Sequence, residues 1–270
     1  MKRNLLVAAS VAAAVLMAAG CQKLKARDQL NKGVQSYRSA QFPAAVEHFK
    51  TAVDLDPAFP TARLYLATAY MSQYIPGDDS PENMQMAKAA YDQFQKVLEQ
   101  DPKNELAIAS IASLYFNQRK TDEAKEWYKK LIALNPKNKE AHYTLGVIAW
   151  TEWYKPYMEA KAKLGLKPED PGPIKDKKVK EELRSKYVPI IDEGIKHLEE
   201  ALSLDSDYED AMAYMNLLIR ERADLAASPD EYQKQVDTAN NWVQKAMQTK
   251  KMKDEKKQRA SGGITTEETK

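Results

Sequence analysis

Apolar residues recur with helical spacing along most of the chain, and polar breaks interrupt this spacing at regular intervals. Between Glu105 and Pro136, an apolar helical run is followed by a short polar break and a second helical run, which ends at Asn135-Pro136. The preceding segment also ends with a proline, Pro102, which lies 34 residues before Pro136. A similar segment before it ends at Pro57. A fixed period of this length, with two helices per period, predicts a stacked helical repeat, or solenoid.

The repeats are unequal in length. The second spans 45 residues from Pro57 to Pro102, and the fourth spans 70 residues from Pro136 to Ser206, where the closing proline is lost. In these two repeats and in the fifth, the additional residues fall between the first and the second helix. The pattern therefore predicts an all-α solenoid of about five helix pairs, with inserts in repeats two, four and five that emerge on one edge of the stack.

The largest insert, at about residues 150–189, carries two of the four tryptophans of the chain. It opens with WTEWYKPY, which contains two tryptophans and two tyrosines. We expect Pro156 to kink or end the first helix, residues 168–173 (PEDPGP) to be non-helical, and Pro189 to begin or bend the next helix. The aromatic residues either cover the side of the solenoid as a small additional core or form a partner-binding face, since exposed Trp and Tyr are enriched at interaction hot spots.

Composition supports a helical fold and limits the classes of partner. Nine glycines in 270 residues favour helix over sheet. The formal net charge is +2, and Lys2 and Arg3 account for both charges, so the rest of the chain has no overall charge that would favour nucleic acid. The single cysteine excludes an internal disulfide.

The N-terminus has the features of an export signal. Lys2 and Arg3 precede an uncharged apolar run of about 15 residues, which is too short to span a bilayer comfortably. Positions 1–20 are therefore predicted to be a signal peptide.

This apolar run meets Ala18-Ala19-Gly20-Cys21, which resembles the processing site of bacterial lipoproteins. The resemblance implies cleavage before Cys21, acylation of that residue and a lipidated tether at residues 21–27. The position after the cysteine is Gln22 rather than Asp, which favours the inner leaflet of the outer membrane, facing the periplasm. The alternative is an ordinary cleaved signal followed by an incidental cysteine.

The repeats resemble the tetratricopeptide repeat (TPR) family. Small, aromatic and proline residues of the first and third repeats fall on the positions at which that family packs two helices together, and the fourth repeat opens with the telling dipeptide Leu145-Gly146. The other matching residues are Gly33, Tyr37, Phe42, Ala45, Phe49, Ala52, Pro57, Ile111, Ala112, Tyr115, Ala124, Tyr128, Leu131 and Pro136. The resemblance covers residues 28–247 and implies a right-handed TPR solenoid. Residues 248–270, which lack periodic apolar positions, are predicted to be a disordered tail.

In TPR proteins the first helix of each pair lines a concave groove that binds partners. The groove positions implied here are mostly apolar, unlike the Lys/Asn/Arg set with which some TPR proteins clamp a peptide carboxylate. In the fifth repeat they are Ala213, Leu217 and Arg220. The predicted partner-binding residues are Tyr37, Leu64, Met71, Phe116, Tyr143, Val147, Trp150, Trp153 and Tyr154. Such a groove suits an extended or helical apolar segment; alternatively, the large insert fills it.

No constellation of catalytic residues is recognisable in the sequence. His48, His142 and His197 stand in separate repeats without a carboxylate or thiol partner at diagnostic spacing, and there is no glycine-rich phosphate loop, GxSxG, HExxH or CxxC motif. We therefore expect no enzyme activity, no metal and no cofactor.

The sequence predicts a non-catalytic, lipid-anchored TPR scaffold that mediates protein–protein interactions in the cell envelope, in assembly or secretion complexes. Its partners would be unidentified envelope proteins, with membrane attachment through Cys21. The alternative is a periplasmic carrier that holds a small molecule or lipid in a pocket enclosed by the helices.

Overall fold

The structure is a computed structural model that describes the backbone of residues 2–261 and the side chains of residues 20–259. Within this range the regular structure is α-helical, which confirms the predicted all-α class. The helices are α1 (Lys2–Arg38), α2 (Phe42–Leu55), α3 (Pro60–Met71), α4 (Pro81–Gln100), α5 (Glu105–Asn117), α6 (Thr121–Leu134), α7 (Lys139–Lys163), α8 (Lys177–Leu204), α9 (Glu209–Ala223) and α10 (Pro229–Ser261).

Consecutive helices pack as pairs: α1 with α2, α3 with α4, α5 with α6, α7 with α8, and α9 with α10. The first helices of neighbouring pairs also touch, α1 with α3 and α7 with α9. The chain divides into two compact bodies, which we call the N-terminal body (Met1–Leu134, with α1 to α6) and the C-terminal body (Asn135–Lys270, with α7 to α10).

Side-chain caps fix the starts of several helices. Ser80, Asn104, Asn138 and Asp176 each precede a helix and accept a hydrogen bond from the backbone N–H three residues later. Each cap satisfies an N–H group that the helix cannot pair internally and contributes about 1 kcal/mol. Asn104 and Asn138 each stand two residues after the proline of an Asp-Pro or Asn-Pro pair. The period of the sequence therefore reflects the junctions between helix pairs.

Small residues face large ones in the core of the N-terminal body. A Cβ atom added at Gly33 of α1 would lie 2.4 Å from Cε1 of Phe49 on α2, so this close approach requires glycine. Phe94 on α4 and Ile111 on α5 are fully buried in a neighbouring cluster. Gly33, Phe49 and Ile111 are among the TPR motif positions identified in the sequence, because those positions correspond to close packing between helices.

Two glycines bring α7 and α8 together in the C-terminal body. A Cβ atom at Gly146 would lie 2.5 Å from Cγ of Leu198, and one at Gly194 would lie 2.5 Å from Cβ of Ala149. Trp153, one turn beyond this contact, is fully buried. The α7–α8 interface is therefore closely packed between Gly146 and Trp153.

Pro156 and Pro189 both lie inside continuous helices, so Pro156 does not end α7 and Pro189 does not begin α8. A proline in a helix interior removes one hydrogen bond and costs about 3 kcal/mol. Trp153 and Tyr157, on either side of Pro156, are buried in the core, and their packing offsets this cost. Residues 168–173 are non-helical, as expected.

A buried ion pair anchors the non-helical segment 164–176. Lys161 on α7 is only 1% exposed, and its Nζ lies 3.2 Å from Oδ2 of Asp224, the residue that ends α9. Lys161 also donates to the backbone carbonyl of Asp170 at 2.9 Å. From the other side, the backbone N–H of Ile174 donates to the carbonyl of Asp224 at 2.8 Å. The segment is thus fixed to α7 and α9 together.

At the N-terminus, the tether predicted at residues 21–27 is part of α1, and Ala26 is already buried. Contact with the body therefore begins within the predicted tether, where Cys21 itself is exposed. The side chains of the predicted signal peptide up to residue 19 lie outside the described residues. Among the residues that the structure describes, no helix is both long and apolar enough to cross a membrane.

At the C-terminus, the prediction of disorder from residue 248 onward is wrong as far as Ser261, because α10 continues to that residue. Thr249 is buried, and Lys253 donates to the backbone carbonyl of Asp207 at 2.7 Å and pairs with Glu209. Long-range contacts therefore order a segment whose composition alone indicates disorder. The rest of the predicted tail, residues 262–270, lies outside the described residues.

The close approach of α7 and α8 predicts that Gly146→Val lowers the free energy of unfolding by about 3 kcal/mol, because the side chain would clash with Leu198 in a filled core. Urea denaturation followed by far-ultraviolet circular dichroism measures this change. Thr151→Val, at an exposed position of α7, should change stability by about 0.5 kcal/mol or less. Equal stability of the two variants would contradict the role of Gly146.

Candidate protein-binding surface

Five aromatic side chains form a continuous array across α7 and α9, which we call the aromatic band. Its ring centroids are separated by 4.9 Å for Tyr208–Tyr143, 5.8 Å for Tyr143–Tyr214, 5.5 Å for Tyr214–Trp150 and 4.6 Å for Trp150–Tyr154. Offset and edge-to-face contacts of this kind stabilise one another by about 0.5–1.5 kcal/mol per pair. The band is therefore a preformed surface on two helices that already pack together.

Helical spacing places the three rings of α7. Tyr143, Trp150 and Tyr154 are seven and four residues apart, so they share one face of the helix. Tyr143 and Trp150 are partly buried and pack against the core, as do Tyr208 and Tyr214, whereas Tyr154 is 39% exposed. The rings are supported from beneath and remain partly accessible from outside.

Trp150 is tied to a buried carboxyl group. Its indole Nε1 donates to Oε1 of Glu221 on α9 at 3.1 Å, and Glu221 is only 8% exposed. Burial raises the pKa of Glu221 to about 7; the indoles of Trp150 and Trp153 oppose this rise, and the charge of Asp224 adds to it. Oε2 of Glu221 makes no hydrogen bond of ordinary geometry. The orientation of Trp150 thus depends on a group that changes its charge near neutral pH.

Carboxylates lie beside the Tyr208 end of the band. Burial raises the pKa of Tyr143 and Tyr214 and raises the pKa of Tyr208 to about 12, and the negative charge of Asp210 contributes in all three cases. Glu140 acts in the same direction on Tyr208, and its side chain is 67% exposed. Asp210 lies one turn before Tyr214 on α9, and Glu140 lies one turn before Tyr143 on α7, so helical spacing places both carboxylates beside the rings.

Lys139 lies at the same end of the band and is engaged with carboxylates. Its Nζ is 2.6 Å from Oδ2 of Asp205, 3.9 Å from Oε1 of Glu140 and 5.2 Å from the centroid of the Tyr208 ring. The hydrogen bond between Lys139 and Asp205 raises the pKa of the lysine and lowers the pKa of the aspartate. Lys139 is therefore set against Asp205 and Glu140, while Lys253, which pairs with Glu209, also acts on Asp205.

The predicted groove residues of the N-terminal body are partly buried and contribute to packing. Leu64 and Met71 lie against the cluster that contains Phe94. The hydroxyl of Tyr37 is 2.8 Å from Oγ of Ser72 and links α1 to the end of α3. Phe116 of α5 is partly exposed. The array of rings at the surface lies instead in the C-terminal body.

The predicted partner-binding residues of α7 divide between the band and the core. Tyr143, Trp150 and Tyr154 are in the band, but Trp153 is fully buried and Val147 is also buried, so neither is available to a partner.

On α9, the side chains that contact α7 differ from the predicted groove positions. Arg220, predicted to face the groove, donates to Asn240 of α10 at 2.6 Å. The residues that meet α7 are Tyr214 and Glu221, one position after the predicted Ala213 and Arg220. Sequence analysis missed both Tyr214 and Tyr208, although aromatic residues close to the predicted groove positions were a usable signal.

His142 and His197 both lie in the fourth repeat, contrary to the expectation of separate repeats, and they meet between α7 and α8. Nδ1 of His142 is 3.1 Å from Nδ1 of His197, and Nε2 of His142 is 3.1 Å from the carbonyl oxygen of Pro136. Since that carbonyl only accepts, Nε2 of His142 must carry the proton, and Nδ1 of His197 then donates to Nδ1 of His142. His142 is buried, and the pair joins two helices.

The clefts on the two bodies are open rather than enclosed. One of about 200 Å³ lies between α7 and α8 beside Tyr187 and Lys186, and one of about 310 Å³ lies between α4 and α5 beside Tyr91 and Lys120. Small-molecule pockets usually bury most of their ligand within about 300–1,000 Å³. These clefts give no specific support to the carrier alternative.

The raised pKa of Glu221 predicts a pH dependence of stability. Between about pH 4.5, the ordinary value, and about pH 7, the folded state binds more protons at this group than the unfolded state does, so its contribution to stability is lost as the pH rises. Glu221→Gln should therefore gain up to about 3 kcal/mol relative to the wild type between pH 5 and pH 8.

Urea denaturation at several pH values tests this prediction. Glu182→Gln, at an exposed position of α8, is the matched control and should show the pH dependence of the wild type. Parallel stability curves for Glu221→Gln and the wild type would contradict the prediction.

Comparison with known proteins identifies the repeat. Tetratricopeptide repeat models match residues 33–105 and residues 84–148. No curated protein matches the sequence. Among solved structures, MamA is 16% identical with a TM-score of 0.55 and covers 86% of this chain and 94% of its own. MamA from Desulfovibrio magneticus RS-1, from residue 41 to its end, is 16% identical with a TM-score of 0.57 and covers 85% and 97%.

YrrB, described as a TPR protein with an unusual peptide-binding site, is 15% identical with a TM-score of 0.50 and covers 83% of this chain and 90% of its own. At such identities the likeness to solved structures concerns the fold, and it confirms the predicted TPR-type helical solenoid. Together with the two matched segments, it shows that residues 33–148 carry tetratricopeptide repeats within a solenoid of the TPR type.

Proposed function

We propose that this protein is a non-catalytic, lipid-anchored scaffold of the cell envelope, which captures a segment of a partner protein on the aromatic band. The observation that carries this proposal is the band itself, an array of five rings held on α7 and α9. Partly accessible Trp and Tyr side chains on rigid helices are typical of binding hot spots, because they bury a large area at a small cost in conformational entropy.

The family supports binding rather than catalysis. TPR proteins are generally non-catalytic scaffolds, and among the structures of similar fold YrrB is described as having a peptide-binding site. The first helices of two neighbouring pairs, α7 and α9, touch each other and carry the rings. A segment of a partner lying across these helices would contact both pairs at once.

The sequence motif supports attachment to a membrane. The signal-like run ends at Cys21, which is exposed at the surface of α1 and therefore accessible to an acylating enzyme. A multiply acylated terminus would be a stable anchor, since each buried methylene contributes about 0.8 kcal/mol. We place the anchor in the inner leaflet of the outer membrane, with the folded chain facing the periplasm.

The anchor is tested with Cys21→Ser in a bacterial host that processes lipoproteins. The wild type should fractionate with outer membranes and incorporate labelled palmitate, whereas Cys21→Ser should lose the label and appear in the soluble periplasmic fraction. A wild-type protein without label would overturn the lipid anchor and leave the binding proposal intact.

Partner capture is tested by photo-crosslinking in cells, with a photoreactive phenylalanine derivative at Tyr154, the exposed ring of the band. A discrete adduct should form, and Trp150→Ala should weaken it by about 30-fold or more, as expected for a hot-spot residue worth at least about 2 kcal/mol. Trp127→Ala, which removes a partly buried tryptophan from the N-terminal body, is the matched control. Adducts that survive Trp150→Ala unchanged, in protein with unaltered helical content, would refute binding at the band.

A further inference from the structure

We infer that the aromatic band binds a basic segment, in which an Arg or Lys side chain lies over the tyrosine rings and pairs with Asp210 and Glu140. This inference rests on the proposed function, because it names the chemistry of the segment that the same surface captures.

The charges beside the band are predominantly negative. Asp205, Glu140 and Asp210 stand at its Tyr208 end, and Lys139 is the cation that contacts the first two. At the other end, Nζ of Lys155 lies 4.0 Å from Oε1 of Glu159, so a carboxylate compensates the charge of this lysine. The carboxylates of Asp210 and Glu140 are exposed, so a partner can reach them.

The rings add a second attraction for cations. Aromatic faces attract an ammonium or guanidinium group within about 6 Å of the ring centroid. Lys139 already adopts this geometry over Tyr208, at 5.2 Å, which demonstrates that a cation is accommodated beside these rings. An Arg side chain is especially suited, because its planar group can stack on Tyr143 or Tyr214 and donate to Asp210 at the same time.

Other occupants fit this surface less well. An acidic segment would meet like charges at Asp210 and Glu140 and would be repelled. A purely apolar segment would shield these carboxylates from water without pairing them, which is costly. A basic segment satisfies both the rings and the carboxylates.

The probe is a library of random peptides displayed on phage and selected against the full-length protein in detergent. Peptides that bind should be enriched in Arg or Lys. One such peptide is then synthesised, together with a version in which each Arg or Lys is replaced by Gln, and dissociation constants are measured by fluorescence anisotropy.

Three variants of the protein are compared with the wild type. Glu140→Gln/Asp210→Asn should weaken the basic peptide by about five- to tenfold, the combined effect expected of one cation–π site and exposed ion pairs. Glu181→Gln/Glu182→Gln removes two exposed carboxylates from α8 instead and should change binding by about twofold or less. Trp150→Ala should weaken both peptides. The peptide in which Gln replaces each Arg or Lys should bind the wild type and Glu140→Gln/Asp210→Asn about equally. That result would show that the cations of the peptide interact with the carboxylates at positions 140 and 210.

The outcomes separate this inference from the proposed function. Neutral or acidic peptides that depend on Trp150 would overturn the inference and support the band as a binding surface. Equal weakening by the two carboxylate pairs would also overturn it, since net charge alone would then explain the effect. Peptides that are indifferent to Trp150→Ala, or a selection that yields none, would count against both.

Discussion

The ion pair between Lys161 and Asp224 holds together the parts of the C-terminal body that carry the aromatic band. Lys161 belongs to α7, Asp224 ends α9, and the hydroxyl of Tyr157 donates to the same carboxylate at 2.7 Å. A buried pair is costly to desolvate, and removing one partner commonly costs 3–5 kcal/mol, roughly, because the other charge remains uncompensated. Here the backbone carbonyls of Pro168 and Asp170 also accept hydrogen bonds from the ammonium group. This arrangement joins the C-terminal part of α7 to the end of α9, the two helices that meet in the aromatic band.

Features that depend on neighbouring residues could be predicted from the sequence. The 34-residue period predicted helix pairs because caps such as Asn104 and Asn138, and close-packed residues such as Gly33 and Gly146, recur in several of the repeats. Features that depend on distant residues could not. The helix persists through Pro156 because Trp153 and Tyr157 are buried, and α10 extends past Met247 because Lys253 contacts residues 44 and 46 positions earlier.

The same distinction applies to the candidate surface. Tyr143, Trp150 and Tyr154 belong to one helix, so their common face follows from helical geometry alone. Which face of an aromatic-rich helix is buried depends on its neighbours, and for this reason Trp153 was assigned to the surface although it lies in the core. On α9, a register carried over from the family was one residue away from the side chains that meet α7. Lipid attachment at Cys21 stays a prediction from the sequence motif.

The rings of the band have two roles, since most of them pack against the core on one side and face outward on the other. Replacing such a ring to suit a new partner would also loosen the body that supports it. The carboxylates beside the rings are exposed, and replacing them leaves the core intact. Under the proposed function, a change of partner preference through the charges at positions 140 and 210 would therefore cost less stability than a change of the rings.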